Sequence, residues 1–220
     1  GAKWLGLVAV FALLWILRER QLYGDSHILL WETAKGSRFL FPDLGASFLI
    51  GQLLTLGGQF AGTQSGQILP VQLAVCLCGA LTVGFVYRFC SDLAPHWKGA
   101  ATLLILSGGL VRVFAGHVEV YAFLLVVMAA YVWASLAYLG ARTSLMGPSL
   151  LLGLGVWVHL GAVCLLPSLL ILPWLRERDS GVGARVAQSA WAANVAVLPV
   201  ALFLAGAAFL GAENEWTQLR

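Results

Sequence analysis

The sequence predicts an all-α polytopic membrane protein, on three observations. Of its 220 residues, 60% are hydrophobic. Only 10% are charged, where a soluble domain carries about 25%. The apolar residues also fall into long runs separated by short polar breaks, and the mean hydropathy is +0.87. A soluble fold of this size has too little interior for so much apolar surface. Spanning helices satisfy their own backbone groups inside lipid. The net charge of +3 comes from basic residues scattered among the loops. That pattern suits membrane orientation and offers no nucleic-acid footprint.

Residues 3–17 predict the first span. No small-residue cleavage site follows it, so it reads as a retained helix and not as a signal peptide. Residues 18–65 are mixed. Gly45, Gly51, Gln52, Gly57 and Gly58 weaken a spanning helix over 44–58. The stretch therefore predicts a long external loop lying on the membrane surface and carrying amphipathic helices. Residues 68–87 predict a clear span, and "SDLAPHWKG" at 91–99 predicts a polar turn. A short apolar segment follows at 100–111, then the polar patch "RVFAGHVEVY" at 112–121. Residues 120–139 predict a span with the aromatic set Tyr121, Tyr131, Trp133 and Tyr138, of which those near the helix ends read as interfacial anchors. Residues 189–211 predict the last span. Cys76, Cys78, Cys90 and Cys164 lie in or beside apolar segments and read as buried, inert thiols.

The run 147–173 is decided by charge. If it crossed once, Arg176, Arg178 and Arg185 would fall outside, against the positive-inside rule. Two short helices hinged near His159 keep those arginines inside. Short helices are tolerated where they line a protein-enclosed cavity. This gives about seven membrane helices in a single domain over 1–220, two of them short. It also collects Asp25, His27, Glu32, Asp43, His117, Glu119 and His159 on the external side. Ionisable residues at membrane depth are costly, and are functional by default.

Several motifs resemble bacterial membrane glycosyltransferases of the GT-C superfamily. In their first external loop such proteins carry Gly-Asp-Ser, a glycine turn and a Phe-Pro-Asp-like stretch, matched here by Gly24-Asp25-Ser26, Gly36 and Phe41-Pro42-Asp43. "AGHVEVYAFLL" resembles their Gly-x-x-Glu-x-Tyr helix start, with Glu119 and Tyr121 in place. "LGLGVWVHLGAVCLLPSLLILPWLRER" resembles their paired short helices followed by a basic cytoplasmic loop.

The resemblance implies transfer of a sugar from a polyprenyl-phosphate donor to an acceptor on the external face. It implies a bacterial inner membrane with the active face toward the periplasm. Asp25 is the position matching the family's loop acid. Inverting transfer needs a base for the acceptor hydroxyl and stabilisation of the leaving phosphate. Asp25 and Glu119 are the candidate catalytic carboxylates. His27, Asp43, Arg112, His117, Tyr121 and His159 are candidate substrate contacts, and Lys35 with Arg112 suits phosphate. A divalent metal ion beside Glu119 and a histidine is compatible with this chemistry. Membrane lipids and partner membrane subunits complete the implied surroundings.

Plainer readings stand beside each of these. Asp25 suits a helix N-cap. Asp43 after Pro42 suits a turn. Glu119 can pair with Arg112, and His159 can bond a carbonyl freed by the helix break. The glycines of 147–161 suit close helix packing. A non-catalytic GT-C-derived subunit that scaffolds a larger complex is the alternative function. A transporter is a third reading, against which stands the lack of an inverted repeat.

Overall fold

The computed structural model describes residues 2–18, 43–60, 64–108, 119–176 and 180–209. Among them there is no strand, only helix and short connections. The helices are α1 (Ala2–Leu17), α2 (Leu44–Phe60), α3 (Gln64–Leu93), α4 (Lys98–Ser107), α5 (Tyr121–Leu139), α6 (Met146–Val158), α7 (Leu166–Arg176) and α8 (Val182–Phe209), with a 3-10 segment at Leu160–Leu165.

Three helices are long and apolar enough to cross a membrane: Gly66–Leu93, Tyr121–Leu139 and Val182–Gly206. They make the chain an integral membrane protein by length and composition. Among the described residues these three have the length of a full span, where about seven membrane helices, two of them short, are expected. With 10 residues, α4 covers about 15 Å, half of a hydrocarbon core of about 30 Å. The helices α1 and α6, and the stretch Leu160–Arg176, are also apolar but short.

Helix directions follow from side-chain contacts. Leu7 lies against Gly84, and Arg18 reaches Gln72, so α1 runs antiparallel to α3. Val71 and Val75 pack with Val120 and Phe123, while Val86 and Cys90 pack with Ala129, so α3 and α5 are parallel. The chain does turn back near His159. Gly155 of α6 sits on Met128 of α5, and Ser168 of α7 bonds Tyr131 of α5 at 2.6 Å. Arg176, at the end of α7, returns to the carbonyl of Thr143, before α6 begins. The basic residues Arg88, Lys98, Arg142, Arg176 and Arg185 thereby share one end of the bundle. Most of them lie over aromatic rings, Arg176 at 4.4 Å from the Tyr138 ring and Arg185 at 5.1 Å from the Trp174 ring. At that end Asp92 accepts two bonds from Arg142, at 3.0 and 2.7 Å, which raise the guanidinium pKa above its ordinary value.

This arrangement has a topological consequence. Gly99 and Gly183 lie near this basic end, and a Cβ on either meets open space. In a chain with its four cysteines replaced, Gly99→Cys and Gly183→Cys are expected to label from the same membrane face with an impermeant reagent. Labelling from opposite faces would break the α6–α7 hairpin.

Segment 44–58 departs from expectation. It forms part of one 17-residue helix packed on the bundle, not an amphipathic piece on its surface. Two of its glycines, Gly45 and Gly57, are contact points. A Cβ on Gly45 would stand 2.5 Å from the Trp157 ring, and one on Gly57 would collide with the backbone of Gln67. Such close approach buries Ala46, Ser47 and Ile50, which offsets the roughly 1 kcal/mol that each helical glycine costs.

Two side-chain assignments also change. Tyr138, near the helix end, is buried at 2% exposure and is not an interfacial anchor. Cys164 is exposed, although Cys76 and Cys90 are buried as expected.

The C-terminus of α5 closes in a Schellman arrangement: Arg142 N–H bonds Ala137 O, and Ala141 N–H bonds Tyr138 O. The left-handed position falls on Ala141, at φ 57°, and not on its neighbour Gly140. Ala141→Gly is therefore expected to raise stability by about 1 kcal/mol, read as a higher unfolding temperature in detergent.

Candidate functional site

The end of the bundle opposite the arginines holds the candidate site. His159 interrupts two helices in an extended conformation, φ −151° and ψ 121°. Its N–H closes α6 on Gly155 O, and its carbonyl accepts from Ala162. Its ring caps the 3-10 segment, with Nδ1 accepting the Gly161 N–H at 2.9 Å. The partner is thus a backbone N–H and not a carbonyl. A Cβ on Gly161 would stand 2.9 Å from the same ring, so only glycine leaves the imidazole where it is.

With Nδ1 occupied as an acceptor, the neutral ring carries its proton on Nε2. Nε2 lies 3.3 Å from Asp43 Oδ1. Both side chains are mostly shielded but still touch solvent, at 17% and 21% exposure. Asp43 precedes α2, and its carbonyl accepts the Ser47 N–H at 2.9 Å. The Tyr121 ring, at the start of α5, lies 5.5 Å from the His159 ring. Three segments far apart in sequence therefore meet here.

Glu119 leads into α5 two residues before Tyr121, and its carbonyl accepts the Ala122 N–H. Asp25, His27, Arg112 and His117, with Glu32 and Lys35, lie outside the described residues.

Two donors at this end were not anticipated. Ser47 is one helical turn beyond Asp43, and Trp157 is two residues before His159. Ser47 Oγ and Trp157 Nε1 are buried with no hydrogen-bond partner among the described residues. Buried polar groups are normally paired, so these two are suited to hydroxyl or water partners. Nothing in the sequence marked them, because a serine and a tryptophan in an apolar run read as packing. The Trp157 ring also meets Phe203 of α8, edge to face at 5.4 Å, which braces the wall of the site.

Comparison with known families, with curated proteins and with solved structures gave no match.

Chemically, the cluster supplies one carboxylate beside one imidazole. Nδ1 is engaged by the Gly161 N–H and Nε2 faces Asp43 Oδ1 at 3.3 Å, so the carboxylate is the group suited to accept a proton. As metal donors, Asp43 and His159 are only two. Among the described residues no group of three His, Cys, Asp or Glu side chains is close enough to hold a metal ion.

Proposed function

We propose that the chain is a membrane glycosyltransferase-like protein of the GT-C type, taking a sugar from a polyprenyl-phosphate donor and passing it to an acceptor at the end opposite Arg88, Arg142 and Arg176. The observation that carries this reading is the Asp43–His159 pair at that end, with the Tyr121 ring beside it. Inverting sugar transfer needs a carboxylate that removes the acceptor hydroxyl proton as the sugar–phosphate bond breaks. In this reading Asp43 serves that step, with the His159 ring beside it. Asp25, the acid of the resembling loop motif, is the second carboxylate of the reading. Tyr121 offers a ring face to the sugar.

The aromatic wall of Trp157, Phe203 and Phe48 gives this end an apolar border suited to a prenyl chain. Leaving-phosphate contacts fall to Arg112 and Lys35.

The test is direct. The purified chain is incubated with a defined polyprenyl-phosphate sugar and an acceptor, and transfer is followed by release of polyprenyl phosphate. Turnover above a donor-only control is expected. No transfer with any donor, together with constant copurification of the same membrane partners, would hand the protein to the scaffold reading.

A further inference from the structure

A groove of about 500 Å³ runs between α1 and α3, lined by Trp4, Val8 and Phe11 on one side and by Leu73, Leu77 and Leu81 on the other. Its wall is almost wholly apolar, and its side chains are not packed against one another: Trp4 is 73% exposed, Val8 62% and Leu77 52%. Lipid-facing surface is expected to be apolar, so the groove alone says little. What lies at its head is more specific.

Trp4, Val8, Phe11, Trp15 and Arg18 follow the 4-3-4-3 spacing that places them along one stripe of α1. Phe11, in the groove, stacks on Trp15, with the ring planes 7° apart. The Arg18 guanidinium lies 3.8 Å from the Trp15 ring centroid. Arg18 is held across the top of the groove by bonds to the Trp15 carbonyl at 2.8 Å and the Gln72 side chain at 3.4 Å. An apolar channel thus leads up to a fixed cation through an amphipathic indole, the sequence of chemistry found in a lipid from chain to headgroup.

The dimensions suffice. From Trp4 to Arg18 the helix rises about 21 Å, more than the roughly 15 Å of hydrocarbon in one leaflet, with the phosphate at Arg18, the ester region at Trp15 and the chain in the groove.

We propose that the α1–α3 groove is a binding site for a single anionic phospholipid, whose phosphate is held by Arg18 and one of whose acyl chains fills the channel. The site stands on a different helix pair from Asp43 and His159 and does not depend on the sugar-transfer reading.

The test uses the full chain in nanodiscs of equimolar phosphatidylglycerol and phosphatidylcholine with identical acyl chains. After transfer to mild detergent, retained lipid is counted by native mass spectrometry. The wild type is expected to keep one phosphatidylglycerol in preference to phosphatidylcholine. Arg18→Gln is expected to lower that preference about fivefold, the scale of one basic residue at an anionic headgroup. Leu77→Trp, which fills the channel from an exposed position, is expected to abolish retention of both lipids. Val8→Trp fills it from the opposite wall and serves if Leu77→Trp does not fold. Equal retention of the two lipids by the wild type overturns the proposal. So does an unchanged preference in Arg18→Gln, or unchanged retention in a folded groove-filling variant.

Discussion

Asp43→Asn is expected to lower sugar transfer by about 10²-fold, the lower end of the scale for a lost general base. The substitution keeps the size of the side chain and leaves the backbone carbonyl that accepts the Ser47 N–H in place. An amide cannot take the acceptor proton. Nor does it offer the charge that faces His159 Nε2 at 3.3 Å. Folding and membrane insertion should therefore be nearly unchanged while turnover falls. Asp25→Asn is expected to fall on the same scale, and Glu119→Gln to reduce transfer as well. The assay is the purified chain with a defined polyprenyl-phosphate sugar. Full activity in Asp43→Asn would remove Asp43 as the base. Full activity in both aspartate variants would remove the catalytic reading altogether.

The second large effect is on stability. Gly153→Leu is expected to destabilise the fold by roughly 3 kcal/mol or more, the upper end of overpacking costs. Gly153 lies where α6 crosses α8. A Cβ there would collide with the backbone carbonyl of Ala196, and would stand 2.9 Å from Pro199 Cδ. A carbonyl cannot rotate away as a side-chain tip can, so α8 must move. That would open the cluster of Leu152, Leu169, Ala192 and Ala196, whose members are all nearly or fully buried. Gly147, on the same helix, supplies the control. A Cβ there meets nothing within 4 Å, so Gly147→Ala should gain about 0.5–1 kcal/mol from helix propensity. Unfolding of both variants in detergent, followed by circular dichroism, decides the matter. Equal stability of Gly153→Leu and the wild type would mean that the α6–α8 crossing is not close-packed.

The two effects are linked through Trp157. Its ring packs against Gly45 at the start of α2 and against Phe203 of α8. Asp43 reaches His159 because α2 can approach this closely at Gly45. A shift of α8 would therefore also be felt at the site. Gly153→Leu should impair transfer even in the fraction that remains folded.

Composition and charge placement determined the class of this protein and the reversal of the chain near His159. An excess of apolar residues leaves helices in lipid as the workable solution, and three arginines after residue 173 require a return. Those signals are local and additive, so they survive in a one-dimensional reading. Tertiary structure decided the rest. A glycine reads as a weak point in a helix, yet Gly45, Gly57 and Gly153 are where neighbouring helices come closest. Whether a missing side chain is a loss or an opening depends on the neighbour, which sequence does not state. For the same reason Tyr138, near a helix end, reads as an interfacial anchor, yet it is buried with Leu145 and Leu172. The pairing of Asp43 with His159 joins residues 116 positions apart. Their meeting depends on the turn at His159 and the close seat of α2. The sequence listed the candidates for the site, and the packing of backbone against backbone selected which of the described ones touch.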